Sequence, residues 1–191
     1  DAADYADEEE FELAVEAGCD TIEHGEDIDE PLAAKMAERG TILVPTLQLI
    51  VNWHRDFMPM EPGGRSQARP DAFLYRDALQ PHDHTFADRY SDQAVRSFQT
   101  AKAMGVKIAL GSDTVYEPLT TYGEYSALEL AAMVQYGMTP SEAISAATMT
   151  GAEAVGLSHV LGTVEPGKLA DLLVLRKDPT VDPMVVHDVA N

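Results

Sequence analysis

Short apolar runs alternate along this chain with longer amphipathic stretches, and the alternation predicts strands followed by helices. The run at 106–110 (Val106, Ile108, Ala109, Leu110) climbs through Gly111 and Ser112 and ends on a carboxylate, Asp113. Before it, Phe86, Tyr90, Ala94, Val95, Phe98, Ala101 and Met104 recur at three- and four-residue spacing, which predicts a helix over 86–104 with Gly105 after it. A second strand, 19–24, ends in His24 and Gly25, and a third, 41–46, carries Pro45 near its end. Between these two, Asp29 and Pro31 open a helix that buries Leu32, Ala33, Met36 and Ala37 and stops at Gly40. A further helix over 124–136 stops at Gly137. Thr139-Pro140-Ser141-Glu142 then reads as a capping box for a helix to 147, with a short one over 152–155. Helix, buried strand, acid at the strand's carboxyl end, helix again is how an α/β barrel presents chemistry.

The two ends and the middle break the pattern. The acidic opening leads into a helix to Ala17, with Phe11, Leu13, Ala14 and Ala17 expected inward, and no apolar strand stands before it. From 47 to 84, Pro59, Pro62, Gly63, Gly64, Pro70 and Pro81 punctuate a connection long enough to act as a lid. Trp53, Phe57 and Tyr75 would close it over a pocket, or pack against one another in a mobile insertion. Near the end, LGTVEPGKLADLLVL reads as two strands joined by a type II turn at Pro166-Gly167, flanked by 160–161 and the tail 181–186. An isolated hairpin is marginal, so these strands need a sheet to join. The division expected is 1–157 as a partial barrel and 158–191 as closing β-strands.

Composition narrows the classes. The 191 residues are 45% hydrophobic, which suits one globular core and excludes a disordered chain. No apolar run approaches the ~20 residues of a membrane span, and the reading is a soluble, cytoplasmic protein. Thirty-three acidic against 13 basic residues give a net charge of −20, a surface that repels nucleic acid and anionic membrane. Lysine is scarce (Lys35, Lys102, Lys107, Lys168, Lys177), and self-repulsion on this scale is screened at molar salt. A salt-rich native environment is therefore expected, with a melting temperature that rises from low to molar salt; a flat response would reject it. The single cysteine, Cys19, excludes an internal disulfide and a cysteine-built zinc site, and is read as a small core residue.

Two strands end in residues that bind metal, His24 and Asp113, and the strands of a parallel barrel would bring both to one rim. A histidine nitrogen and a carboxylate oxygen are ligands zinc accepts, but a catalytic zinc takes three protein ligands plus water. Read structurally instead, Asp113 only caps the turn after a core strand. His82 and His84 form an H-x-H pair, but follow Pro81 in a loop and read as surface or helix-start residues. His54, His159 and His187 stand alone. No G-x-S-x-G, phosphate-binding glycine loop or dinucleotide fingerprint occurs.

The segments AVEAGCDTIEHGEDID, MAERGTILVPTL, GVKIALGSDT, MVQYGMTPSEAISAATMTGAEAVGL and LGTVEPGKLADLLVLRKDP, in this order, resemble the C-terminal half of amidohydrolase-superfamily enzymes. The likeness is to the imidazolonepropionase-like group that includes Xaa-Pro dipeptidases (prolidases), and it covers nearly the whole chain outside 47–84. It implies an α/β fold: strands six to eight of a TIM-type (β/α)8 barrel, with their helices, plus closing strands of a small β-sandwich. It also implies that His24 ends the sixth strand, where it binds the second metal of a binuclear site or orients the water in a mononuclear one, and that Asp113 ends the eighth as a ligand of the first metal and proton shuttle. The cofactor implied is a divalent metal, zinc by preference, one or two per complete enzyme.

The family's first-strand H-x-H, fourth-strand lysine and fifth-strand histidine have no counterpart in the chain. The resemblance thus implies a C-terminal fragment of a hydrolase that cleaves a C–N bond, in a dipeptide or cyclic amide, with metal-activated water. By itself such a fragment is expected to be marginally stable and inactive. Its partners would be a small-molecule substrate, the missing N-terminal half and further copies of itself in a homo-oligomer, with no nucleic acid and no membrane. The alternative is a non-catalytic half-barrel, the partner or interaction module of a split enzyme. A third reading makes His24 and Asp113 structural.

Overall fold

In the computed structural model the described residues are 2–3, 8–53, 84–113 and 124–187. Four short strands, β1 (Ala2–Ala3), β2 (Thr21–Glu23), β3 (Ile42–Val44) and β4 (Lys107–Ile108), form one parallel sheet in the order β1-β2-β3-β4. The register pairs Ala2 with Thr21, Thr21 with Ile42, and Ile42 with Lys107. Helices α1 (Glu8–Ala17), α2 (Glu30–Arg39) and α3 (His84–Ala103) each lie between consecutive strands in sequence. After β4 come α4 (Glu124–Gln135), α5 (Pro140–Ser145), a π-helical turn (Ala146–Thr150) and α6 (Gly151–Ala154). Parallel strands need such crossovers, because a tight turn cannot return the chain to the same end of the sheet.

Side chains alternate across each strand, so the sheet has two apolar faces. Ile22, Leu43 and Ile108 join the main core with Phe11 and Val15 of α1, Leu32, Ala33 and Met36 of α2, and Phe98 and Ala101 of α3. Leu130 and Met133 of α4 complete that layer. On the other face Ile42, Val44 and Ala109 form a small separate cluster, with Ala154 of α6 packed on it. A parallel sheet apolar on both faces, with its crossover helices packed against one of them, is the arrangement of a barrel segment.

Local signals hold at the helix ends. The Asp29 carboxylate accepts the Leu32 N–H at 2.8 Å, and Gly40 takes the left-handed conformation (φ 78°) at the close of α2. The Thr139–Glu142 capping box forms in both directions. Arg39 at the end of α2 donates to the Val15 and Glu16 carbonyls, satisfying the orphan acceptors at the end of α1.

Several expectations are corrected. A strand does precede α1: Ala2–Ala3 pairs with β2, and two alanines are too short a run for periodicity to register. On α1 the buried partner of Phe11 is Val15, four residues on, while Leu13 is 59% exposed and Ala17 is also exposed. Met104 is exposed and Cys19 only half-buried. The stretch expected as loop from 47 begins with a π-helical turn, Gln48–Trp53, that buries Ile50 and Val51 beside Leu47. The remainder of the lid expectation, with Phe57, Tyr75, His54 and His82, lies outside the described residues.

The C-terminal hairpin is the largest correction. The turn itself forms, with Lys168 N–H donating to the Glu165 carbonyl at 3.3 Å and Gly167 at φ 93°. The residues on either side of it build no strand ladder, and the tail closes in a 3-10 turn, Pro183–Val186, where a strand was expected. Val164 and Val174 are 85% and 90% exposed, and Leu169, Leu172 and Leu173 are exposed with them. The β-propensity is present, but no neighbouring edge within the described residues pairs with it.

Candidate active site

All four strands run the same way, so the residues leaving β2, β3 and β4 emerge at one rim. Each exit carries a residue that is not glycine yet has a positive φ: His24 at 63°, Thr46 at 47° and Asp113 at 41°. Among the described residues these are the three such cases. A left-handed backbone costs an L-residue ~1–2 kcal/mol, and such strain persists where surrounding structure and function hold it. Three such residues sit on adjacent strand ends at this one rim.

The glycines of the two motifs have a steric reason. A Cβ on Gly25 would meet Leu43 Cδ1 at 2.6 Å and Ile28 Cδ1 at 2.7 Å, at a φ of 62°. On Gly111 it would meet Val44 Cγ1 at 2.4 Å. Glycine after His24 and before Asp113 therefore lets the three strand ends crowd together and turn outward.

His24 is buried, and its Nδ1 is hydrogen-bonded to Thr46 Oγ1 at 2.6 Å. Its Nε2 lies 3.8 Å from Oδ2 of Asp113, whose side chain is 44% exposed. That separation exceeds a hydrogen bond. It falls within the ~4 Å that two donors can span when each sits ~2.0–2.2 Å from one zinc ion. An imidazole fixed from behind and a carboxylate open to solvent in front suit a metal that exchanges with solvent. The two fit as part of a ligand set. Among the described residues no third His, Cys, Asp or Glu joins them, so the set is not completed there. His159 and His187 are exposed and lie in no such group, and the His84 side chain lies outside the described part.

Two residues of the site escaped the sequence reading. Thr46 looked like the end of a strand. Glu129, on α4, is fully buried, and its two carboxylate oxygens accept the N–H groups of Leu47 (2.9 Å) and Gln48 (2.5 Å). Burial pushes its pKa up to about 7, against the pull of those two backbone donors. The signal was available: Glu129 sits four residues after Tyr125 and four before Met133, on the buried stripe of α4. A second buried acid, Glu26, receives the Tyr90 hydroxyl, and Ser97 ties its carbonyl to the Ile28 N–H. Together they pin the loop after His24 onto α3.

The family model described as "Amidohydrolase family" matches residues 3–190. The chain belongs to the amidohydrolase family. Its relatives include the ochratoxinase of Aspergillus niger, 31% identical over 180 residues, which is 92% of this chain and 32% of that protein. The imidazolonepropionase of Geobacillus kaustophilus is 41% identical over 70 residues, 37% of this chain and 16% of that protein. Among solved structures, a Xaa-Pro dipeptidase with methionine bound in its active site superposes with a TM-score of 0.76 at 30% identity. That match covers 97% of this chain and 41% of the dipeptidase. The amidohydrolase chain thus spans about a third of the ochratoxinase and about two fifths of the dipeptidase. No described helix is long and apolar enough to cross a membrane.

Proposed function

We propose that this amidohydrolase chain carries the last strands of a metal-dependent hydrolase that cleaves a C–N bond in a small substrate, of dipeptide or cyclic-amide type. The observation that carries the reading is the row of strained residues at one rim, with His24 Nε2 and Asp113 Oδ2 held 3.8 Å apart. The names of the relatives, a Xaa-Pro dipeptidase and an imidazolonepropionase, supply the substrate class. His24 and Asp113 would hold a divalent ion, zinc by preference, with the remaining ligands drawn from the parts of such an enzyme that these residues do not span. When bound, the ion supplies Lewis acidity and a water of lowered pKa. Asp113, half exposed at the rim, takes a proton and returns it to the leaving nitrogen, and His24 keeps the site in register from its buried position.

The test uses the full-length enzyme and a panel of Xaa-Pro dipeptides and cyclic amides. Hydrolysis is expected to disappear on chelation and to return with added zinc, while the 191-residue chain alone stays inactive. Turnover that survives exhaustive chelation would overturn the metal-dependent reading.

The exposed apolar row at Val164, Leu169, Leu172, Leu173 and Val174 favours a second reading, a half-barrel that acts as the non-catalytic partner of another chain. That reading predicts no hydrolysis from any assembly in which His24 and Asp113 are the rim residues. Zinc-restored turnover excludes it.

A further inference from the structure

The geometry points to Glu129 as a positioning residue for His24, acting through the backbone of 47–48 and the side chain of Thr46. The inference rests on the reading of His24 as a site residue. The N–H groups of Leu47 and Gln48 stand at the entry to the π-helical turn that follows β3, where a helix start has no partners of its own for its first donors. Glu129 supplies them from more than eighty residues away, one carboxylate oxygen to each N–H. Both bonds lie immediately after Thr46, a buried β-branched residue at φ 47° that would otherwise relax into the extended or right-handed region. Holding Thr46 there places its Oγ1 on His24 Nδ1 at 2.6 Å, and so aims Nε2 at Asp113.

The contact admits two tautomers, since the Thr46 hydroxyl can accept from Nδ1–H or donate to a bare Nδ1. The one that a metal at the rim can use has Nδ1–H donating to Thr46 Oγ1 and the Nε2 lone pair facing the rim, and it is the one the positioning chain is expected to hold. The side chain nearest the chemistry is thereby governed by a carboxylate that never touches it. Thr46 stands at the N-cap of this turn, its carbonyl accepting the Leu49 and Ile50 N–H groups, but its hydroxyl is engaged by His24 and does not cap the first donors. A remote acid does so instead.

The experiment uses the full-length enzyme labelled with ¹⁵N-histidine at pH 8, without metal, comparing wild type with Glu129→Gln, Thr46→Val and Thr46→Ser. A Gln at 129 has one acceptor oxygen for the two N–H groups and turns its amide N–H toward the other. Wild type and Thr46→Ser are expected to show a single Nδ1–H tautomer at His24. Glu129→Gln and Thr46→Val are expected to mix the two tautomers with the circular dichroism unchanged, a readout that a merely structural role for Glu129 would not move. Should Glu129→Gln not fold, Glu129→Asp, one methylene short, is read in the same way. A wild-type tautomer in the folded Glu129 variant overturns the proposal. Zinc titration of the same samples is read separately. A roughly 10–100-fold weaker affinity in Glu129→Gln supports the positioning chain. No zinc bound at His24 in wild type counts against the metal reading and leaves the tautomer comparison to decide the role of Glu129.

Discussion

Asp113→Asn in the full-length enzyme is expected to lower kcat by about 10²–10⁴-fold, the range of a lost general acid–base group, with the melting temperature unchanged. Asparagine is the replacement that keeps the backbone while removing the carboxylate. Asp113 has a φ of 41°, a conformation that Asn tolerates and most other side chains do not. Its side chain is 44% exposed, so the amide can be solvated without burying an unpaired donor. What changes is the loss of a carboxylate that can take a proton from water and return it and that would also help hold the ion, so zinc content is measured beside the kinetics to separate the two. Asp113→Ala would confuse this with ~1–2 kcal/mol of backbone strain. Steady-state kinetics and thermal unfolding of the two proteins check the expectation, and near-wild-type turnover in the Asn variant would remove Asp113 from the reaction.

The second large effect concerns stability against pH. Glu129 has its folded-state pKa raised to about 7 from 4.5, chiefly by burial. The sign follows from proton counting. Below pH 4.5 the carboxyl is protonated whether the chain is folded or unfolded, and it contributes fully to stability. Between 4.5 and about 7 the unfolded chain releases the proton and the folded chain keeps it, so stability falls as pH rises. Above about 7 both forms are ionised and the loss is complete. At ~1.4 kcal/mol per pH unit the total is about 3 kcal/mol. With 33 acidic residues the chain has other titrations in the same range, so the measurement is the difference between wild type and Glu129→Gln. Urea unfolding at intervals from pH 4.5 to 8 is expected to show wild type losing about 3 kcal/mol relative to the variant. Parallel curves would mean that the carboxyl titrates normally in the fold.

These two residues differ in how far the sequence reveals them. Asp113 follows a buried apolar run and a Gly-Ser pair, and His24 closes another such run, so both can be found by reading periodicity and strand ends. The glycines beside them can be noticed but not explained that way. Only the contacts show that a Cβ on Gly25 would strike Leu43 and Ile28, and that one on Gly111 would strike Val44. Thr46 and Glu129 are more than eighty residues apart in the chain and meet through the backbone at 47–48, a relation that no local window contains. The π-helical turn at Gln48–Trp53 was hidden for the same reason, because its first donors are satisfied from α4.

The closing segment shows the opposite failure. Its apolar alternation and its Pro166-Gly167 turn are genuine, and the turn forms, yet the flanking residues build no strand ladder and their apolar side chains stay exposed. Strand propensity describes a surface suited to a sheet, and whether a sheet edge lies beside it is not a property of the segment.

By itself, then, the sequence determined the α/β succession, the caps at Asp29 and Thr139, the family, and the two strand-end residues His24 and Asp113, because each depends on neighbours within a few positions or on motif order. The tertiary structure alone decided that Ala2–Ala3 is a strand and that the C-terminal apolar run is not one. It also decided that His24 is held from behind by Thr46, with Glu129 capping the turn that follows. Those outcomes depend on which backbone donors and acceptors meet across the fold, and hydrogen-bond partners distant in sequence are chosen only when the strands and helices have packed.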